Sequence, residues 1–129
     1  NELYHYRAKV LQIVDGDTIA LACDLGMGIT VTLKGKTSVR LFGINAPEMK
    51  LESKPSGMAA KAYLESLIPI GTDVLLRTVK GREHEKYGRY LATVFVERDA
   101  GLLNVNDAMV SAGHAVVNFY DGKLVEAAK

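Results

Sequence analysis

One cysteine in 129 residues has no partner, so no internal disulfide braces the chain, and a lone thiolate makes no zinc site. Cys23 stands in the apolar alternation Ile19, Leu21, Cys23, which reads as a buried structural thiol. No apolar run approaches the roughly 20 residues that span a bilayer. No charged start followed by an apolar stretch reads as a signal peptide, and neither observation selects a compartment. Charge of one sign is scarce too: a net charge of +1 is too small to draw in a polyanion by global attraction. His5, His84 and His114 show no metal-ligand spacing, and nothing supports Ser/His/Asp chemistry. Internal repeats and low-complexity tracts are absent.

What is present suffices for one core. A hydrophobic content of 48% over this length predicts a single domain spanning 1–129. Period-two patterning predicts three strands, over 4–14, 19–23 and 29–33, the third resuming over 39–44 after a break or bulge. In the first of these, Tyr6, Ala8 and Val10 share a face, while Leu11 and Ile13 fall in the opposite phase. That switch predicts a bulge or a strand buried on both sides. Gly26-Met27-Gly28 predicts a turn, and Gly35-Lys36 a break. Pro47 ends the run, and 49–57 reads as a surface loop. A helix is predicted over 58–68, with Ala60, Leu64, Leu67 and Ile68 as its apolar stripe, stopped by Pro69 and Gly71. Strands follow over 73–79 and 91–96. Asn104 starts a second helix, with Asp107 in a capping position, Val105, Ala108, Met109 and Ala112 as its buried face, and Gly113 as its stop. A short strand is predicted over 115–117. The order β-β-β-α-β-β-α predicts a mainly β, α+β fold: a five-stranded OB-type Greek-key barrel with packed helices.

Three segments carry chemistry. Asp15-Gly16-Asp17-Thr18 reads first as a hairpin turn, and second as a turn followed by a carboxylate, Asp17, able to offer calcium a hard oxygen. In Arg40-Leu41-Phe42-Gly43-Ile44-Asn45-Ala46-Pro47-Glu48, alternation places Arg40 on the face opposite Leu41. There it either lies over solvent or meets an anion. Glu48 follows Pro47 and is either a loop acid or a carboxylate held near a water. From Arg77 to Arg89, five basic residues face two acidic ones. Lys86-Tyr87-Gly88-Arg89 reads as a charged hairpin turn, or as a basic and aromatic surface suited to single-stranded nucleic acid.

Taken in order, D-G-D-T, R-L-x-G-I-x-A-P-E and K-Y-G-R-x-L resemble the staphylococcal nuclease (thermonuclease) family, from about Ala8 to Val117. The resemblance implies an OB-type barrel and calcium-dependent hydrolysis of DNA and RNA. It implies Asp17, Asn45 and the carbonyl of Ala46 at the metal, and Glu48 as general base. Arg40 and Arg89 would hold the scissile phosphate, with Lys86 and Tyr87 on a terminal phosphate. DNA or RNA is then the expected partner, with no membrane and a monomeric state. The sequence departs from the family at Asn45, where an Asp is usual, and Asp24 is a candidate for the missing charge. Residues 118–121 lack the family's tyrosine spacing. The third helix of the family is expected to be missing or reduced to 124–129. A non-catalytic OB module that binds nucleic acid, favoured by Asn45, is the rival expectation. A protein-interaction barrel leaves the basic and aromatic segment without a role.

Overall fold

The computed structural model describes residues 4–47, 54–78, 90–117, 119–120 and 123–124. Its strands are β1 (His5–Asp15), β2 (Thr18–Gly26), β3 (Ile29–Leu33), β4 (Val39–Leu41), β5 (Ile44–Asn45), β6 (Asp73–Thr78), β7 (Tyr90–Arg98), β8 (Gly101–Asn104), β9 (Val116–Val117), β10 (Phe119–Tyr120) and β11 (Lys123–Leu124). Two helices, α1 (Lys54–Leu67) and α2 (Val105–Ser111), and a 3-10 turn at Gly35–Thr37 complete the described elements. No helix among the described residues is long and apolar enough to cross a membrane.

Five strands close into a ring in the order β1, β2, β4, β7, β6 and back to β1. Only β4 and β7 pair in parallel, with Val39 opposite Tyr90 and Leu41 opposite Ala92. This is the OB-type barrel expected from the pattern. Beyond the ring, β3 extends β2, β8 folds back on β7, and β9 pairs with β5. Val10, Ile19, Leu21, Val39, Leu41 and Val94 are fully buried inside, and Ala60 and Leu64 of α1 and Val105 and Met109 of α2 plug the barrel against them.

The phase switch in β1 is a bulge. Register shifts between Val10 and Gln12, and again between Ile13 and Asp15, each leave one residue unpaired, Leu11 and then Val14. Both extra side chains are turned out, and Ile13 returns to the core face beside Val10. Leu11 is therefore not a core residue. Helix α1 begins at Lys54 and not at Met58, so part of the expected loop is helical. Pro55 is tolerated because a first-turn residue has no intrahelical N–H bond to lose. Gly57 is buried and extends the stripe of Ala60 and Leu64 by one turn. The far end of α1 is capped by Arg98, whose Nη2 donates to the Leu67 carbonyl at 2.6 Å.

Helix α2 is capped as expected: Asn104 Oδ1 accepts the Asp107 N–H at 3.1 Å. At its other end Gly113 N–H donates to the Val110 carbonyl, and His114 N–H to that of Met109, both at 3.0 Å. Ala112, expected on the buried face, is exposed because the helix has already ended there. The buried face of α2 instead includes Asn106, which is 0% exposed. Asn106 Nδ2 donates to the carbonyls of Phe42 (2.9 Å) and Ala92 (3.2 Å), while its Oδ1 accepts the Val94 N–H (3.1 Å). One carboxamide thus ties α2 to β7 and to the turn after β4. Replacing Asn106 with Ala strands these buried polar groups, and each unsatisfied one costs about 1–3 kcal/mol. Asn106→Ala is expected to lose about 3 kcal/mol of unfolding free energy in a urea titration.

Candidate functional site

The site forms where the β1–β2 turn meets the end of β4. Asp15 ends β1, Gly16 turns the chain, and Asp17 and Thr18 lead into β2. Gly16 is required here for space. A Cβ at this position would sit 2.7 Å from the Ala60 Cβ and 2.8 Å from the Ala46 Cβ, closer than real side-chain carbons approach. The turn is thereby pressed against α1 on one side and the Asn45–Ala46 segment on the other.

β4 is fastened to the same turn. Thr18 pairs with Arg40, and Leu41 N–H donates to the Asp17 carbonyl at 2.8 Å. Val39 and Leu41 enter the core, so alternation sends Arg40 outward from the barrel interior. It does not reach open solvent. Phe42 and Gly43 reverse the chain, with Gly43 at φ +83°, a conformation that glycine adopts without a Cβ penalty. Asn45 and Ala46 come back over the turn. Arg40 Nη2 donates to Asn45 Oδ1 and, at 3.4 Å, to Asp17 Oδ2. Ala46 N–H donates to the same Asp17 oxygen at 2.9 Å, and the Thr18 hydroxyl to Asp17 Oδ1 at 3.0 Å.

The result is a nearly buried ion pair, with side chains of Arg40 and Asp17 only 12% and 11% exposed. Such a pair persists because neighbours satisfy its remaining hydrogen-bonding groups. Asp15 stands beside it, its Oδ1 accepting the Asp17 N–H at 3.4 Å. Burial first, and then the adjacent Asp17, push the Asp15 carboxyl up to about 6. Burial and neighbouring Asp24 likewise push the Cys23 thiol up, in keeping with an inert core thiol.

Among the residues expected in the site, Asp17, Arg40, Asn45 and Ala46 come together. Glu48, Lys86, Tyr87 and Arg89 lie outside the described residues. Asp24 does not join the cluster: it is exposed, pairs across strands with Arg7 and Thr30, and accepts the Gly26 N–H at 2.8 Å. Seven positions of strand separate it from Asp17, roughly 20 Å. Thus Asp24 cannot replace the carboxylate missing at Asn45. Among the described residues no three His, Cys, Asp or Glu side chains gather in a metal-holding group. The oxygens at Asp17 and Asn45 suit a hard cation in kind, but they include one carboxylate only and already accept hydrogen bonds. A cleft of about 500 Å³ lined by Arg7, Lys9, Asp24, Asp73 and Phe95 is not lined by Asp17, Arg40, Asn45 or Ala46.

Two residues that position the site were missed in the sequence. Asn106 reads there as one more polar residue near a helix start. Its signal is that it lies on the stripe Asn106, Met109, Val110, where a polar side chain must find partners indoors. Asp15 reads as a turn residue, and only its burial beside Asp17 distinguishes it.

A family model described as staphylococcal nuclease homologue matches residues 38–129. An uncharacterized protein of Methanocaldococcus jannaschii is 27% identical over 88% of this chain and 59% of its own length. An uncharacterized protein of Bacillus anthracis is 32% identical over 88% of this chain and 48% of its own. A protein of Escherichia coli called ParB is 31% identical over 93% of this chain and 62% of its own. The chain therefore spans about half to three-fifths of the length of these relatives.

A raised carboxyl pKa has a definite stability signature. The folded state holds the Asp15 proton more tightly than the unfolded state, so stability falls as pH rises from the ordinary value of 3.8 to about 6. Asp15→Asn keeps an oxygen to accept the Asp17 N–H and removes the charge. In chelator-containing buffer the variant is expected to be more stable than the parent at pH 7, by about 1 kcal/mol after allowance for solvent screening. That advantage should close below about pH 4. Urea midpoints that differ equally at pH 4 and pH 7 would contradict this.

Proposed function

The chain belongs to the staphylococcal nuclease family, and we propose that it hydrolyses phosphodiester bonds of DNA or RNA. The observation that carries this reading is the fixed guanidinium of Arg40, anchored by Asp17 and Asn45 at the barrel rim. A planar, permanently charged fork suits phosphate oxygens in a way that a mobile surface cation does not.

In this reading Arg40 and Arg89 grip the scissile phosphate from two sides. Arg89 directly precedes Tyr90, whose ladder partner Val39 directly precedes Arg40, which supports pairing the two arginines. Their charges offset the negative charge that grows on the phosphoryl oxygens as a fifth ligand approaches phosphorus. Glu48 takes the proton of the attacking water. Its nearest fixed point is Ala46, tied to Asp17, and two residues of chain reach at most about 7 Å. Lys86 and Tyr87 bind a neighbouring phosphate and stack on a base. Asp17, Asn45 and the Ala46 carbonyl would hold calcium, which when bound adds a further positive charge beside the phosphate.

A second reading, nucleic-acid binding without turnover, is favoured by one observation: Asn45 is neutral, and its oxygen is engaged by Arg40. A gel assay of plasmid DNA and of RNA, with calcium and with chelator, separates the two. Cleavage that needs calcium supports the nuclease, whereas retention without cleavage supports the binding module. Undiminished cleavage in chelator removes calcium from the mechanism.

Three substitutions test the roles. Arg40→Lys is expected to lower turnover about 100-fold while keeping the charge, because an ammonium cannot make two parallel contacts. Glu48→Gln should bind substrate and fail to turn it over. Asn45→Asp adds a charge beside the cation and should tighten calcium binding about tenfold in a calorimetric titration, after losses to desolvation and to repulsion from Asp17.

A further inference from the structure

Strand β3 pairs with β2 on one side, and among the described residues no strand covers its other side. Free edges in natural proteins are usually blunted by a lysine, a proline or a bulge. Within Ile29–Leu33 there is none of these, and no charged residue occurs anywhere from Leu25 to Leu33. The hairpin tip is apolar and open: Leu25, Met27, Ile29 and Val31 are 47%, 97%, 52% and 37% exposed. Leu33 packs against the core, and strand alternation puts Val31 and Ile29 on its face. The core face of the barrel thus runs out along β3 beyond any strand among the described residues that would cover it.

We propose that this edge docks β3 of a second copy of the chain, antiparallel about a two-fold axis at Val31. Ile29–Leu33 is complementary to itself in that register. Val31 faces the partner's Val31, Ile29 faces the partner's Leu33, and Thr30 faces the partner's Thr32. Apolar side chains meet apolar ones on one face, and hydroxyls meet hydroxyls on the other. Charge agrees as well. Lys34, just past β3, falls beside the partner's hairpin tip, where Asp24 is the nearby acid, and no like charges are brought opposite one another. An extended segment of another protein would have to match this pattern, whereas a second copy carries it already. The pairing lies on the opposite end of β2 from Thr18 and Asp17, so it stands or falls independently of phosphodiester hydrolysis.

A five-residue pairing is smaller than a standard stable interface, so a weak, concentration-dependent association is expected. Sedimentation equilibrium of the chain between about 1 and 200 μM is expected to show a monomer–dimer equilibrium within that range. Val31→Lys sets two ammonium groups against each other on the axis and should weaken the dimer at least tenfold, with circular dichroism reporting the fold. Should that core-facing change unfold the chain, Thr30→Lys with Thr32→Lys places like charges opposite each other on the exposed face, with the same expected loss. Mixing the single variants Thr30→Cys and Thr32→Cys under oxidation should give a linked heterodimer well above the yield of either alone, which fixes the register. A chain monomeric across the range, a dimer indifferent to the lysines, or no preference for the mixed cross-link would overturn the proposal.

Discussion

The carboxamide of Asn106 holds the geometry on which everything at the barrel rim depends. It bonds the carbonyl of Phe42, so the chain leaving β4 is fixed at the point where it must reverse. It also bonds both directions of β7, through the Ala92 carbonyl and the Val94 N–H. A buried amide with donors and acceptor all engaged is directional in a way that apolar contact is not. Without it, α2 would still present Val105 and Met109 to the core, and the Phe42–Gly43 turn would keep its tie to β7 through the Phe42 N–H, which donates to the Ala92 carbonyl at 2.8 Å. Asn45 and Ala46 inherit their positions from that turn.

The second constraint is electrostatic. Asp17 and Arg40 are taken almost wholly out of water, which is unfavourable for either alone. The cost is offset by shared partners: Thr18 and Ala46 satisfy the carboxylate, and Asn45 meets the guanidinium. Asp15, half-buried beside them, has its carboxyl pushed up to about 6, so it keeps its proton to a higher pH than a free carboxyl does. Gly16 lets these groups come this close by keeping the turn thin between Ala60 and Ala46. The site is therefore a set of mutually satisfied charges on a tightly packed turn, mounted on strands that differ in their supports.

Much of this was legible in the residues. Alternation located the ring strands, Asn104 and Gly113 marked both ends of α2, and the Asp-Gly-Asp-Thr and Arg40–Ala46 segments named the four residues that do converge. What was not legible involved long-range choices. A helix stop or a turn is decided by residues within a few positions, but Asn106 is defined by Phe42, Ala92 and Val94 on other elements. The phase switch in β1 announced a bulge or a two-sided strand, and only the register against β2 decides for bulges at Leu11 and Val14. Pro55 and Gly57 look like loop residues until the first turn of α1 accommodates them. Asp24 was a candidate for the charge missing at Asn45, yet an extended strand carries it far from Asp17.

The topology also sets the order in which parts can be in place. The β1–β2–β3 meander joins neighbours in the chain, so its loops close cheaply and early. Closing the ring requires Val39 to find Tyr90 and His5 to find Arg77, partners far along the chain. Such contacts form slowly because a long loop must be ordered before they repay it. Asp17 and its turn belong to the local meander, whereas Arg40 is framed both by Thr18 of β2 and by Leu91 of the distant β7. The cluster of Asp17, Arg40 and Asn45 therefore has its full set of supports only once the barrel has shut.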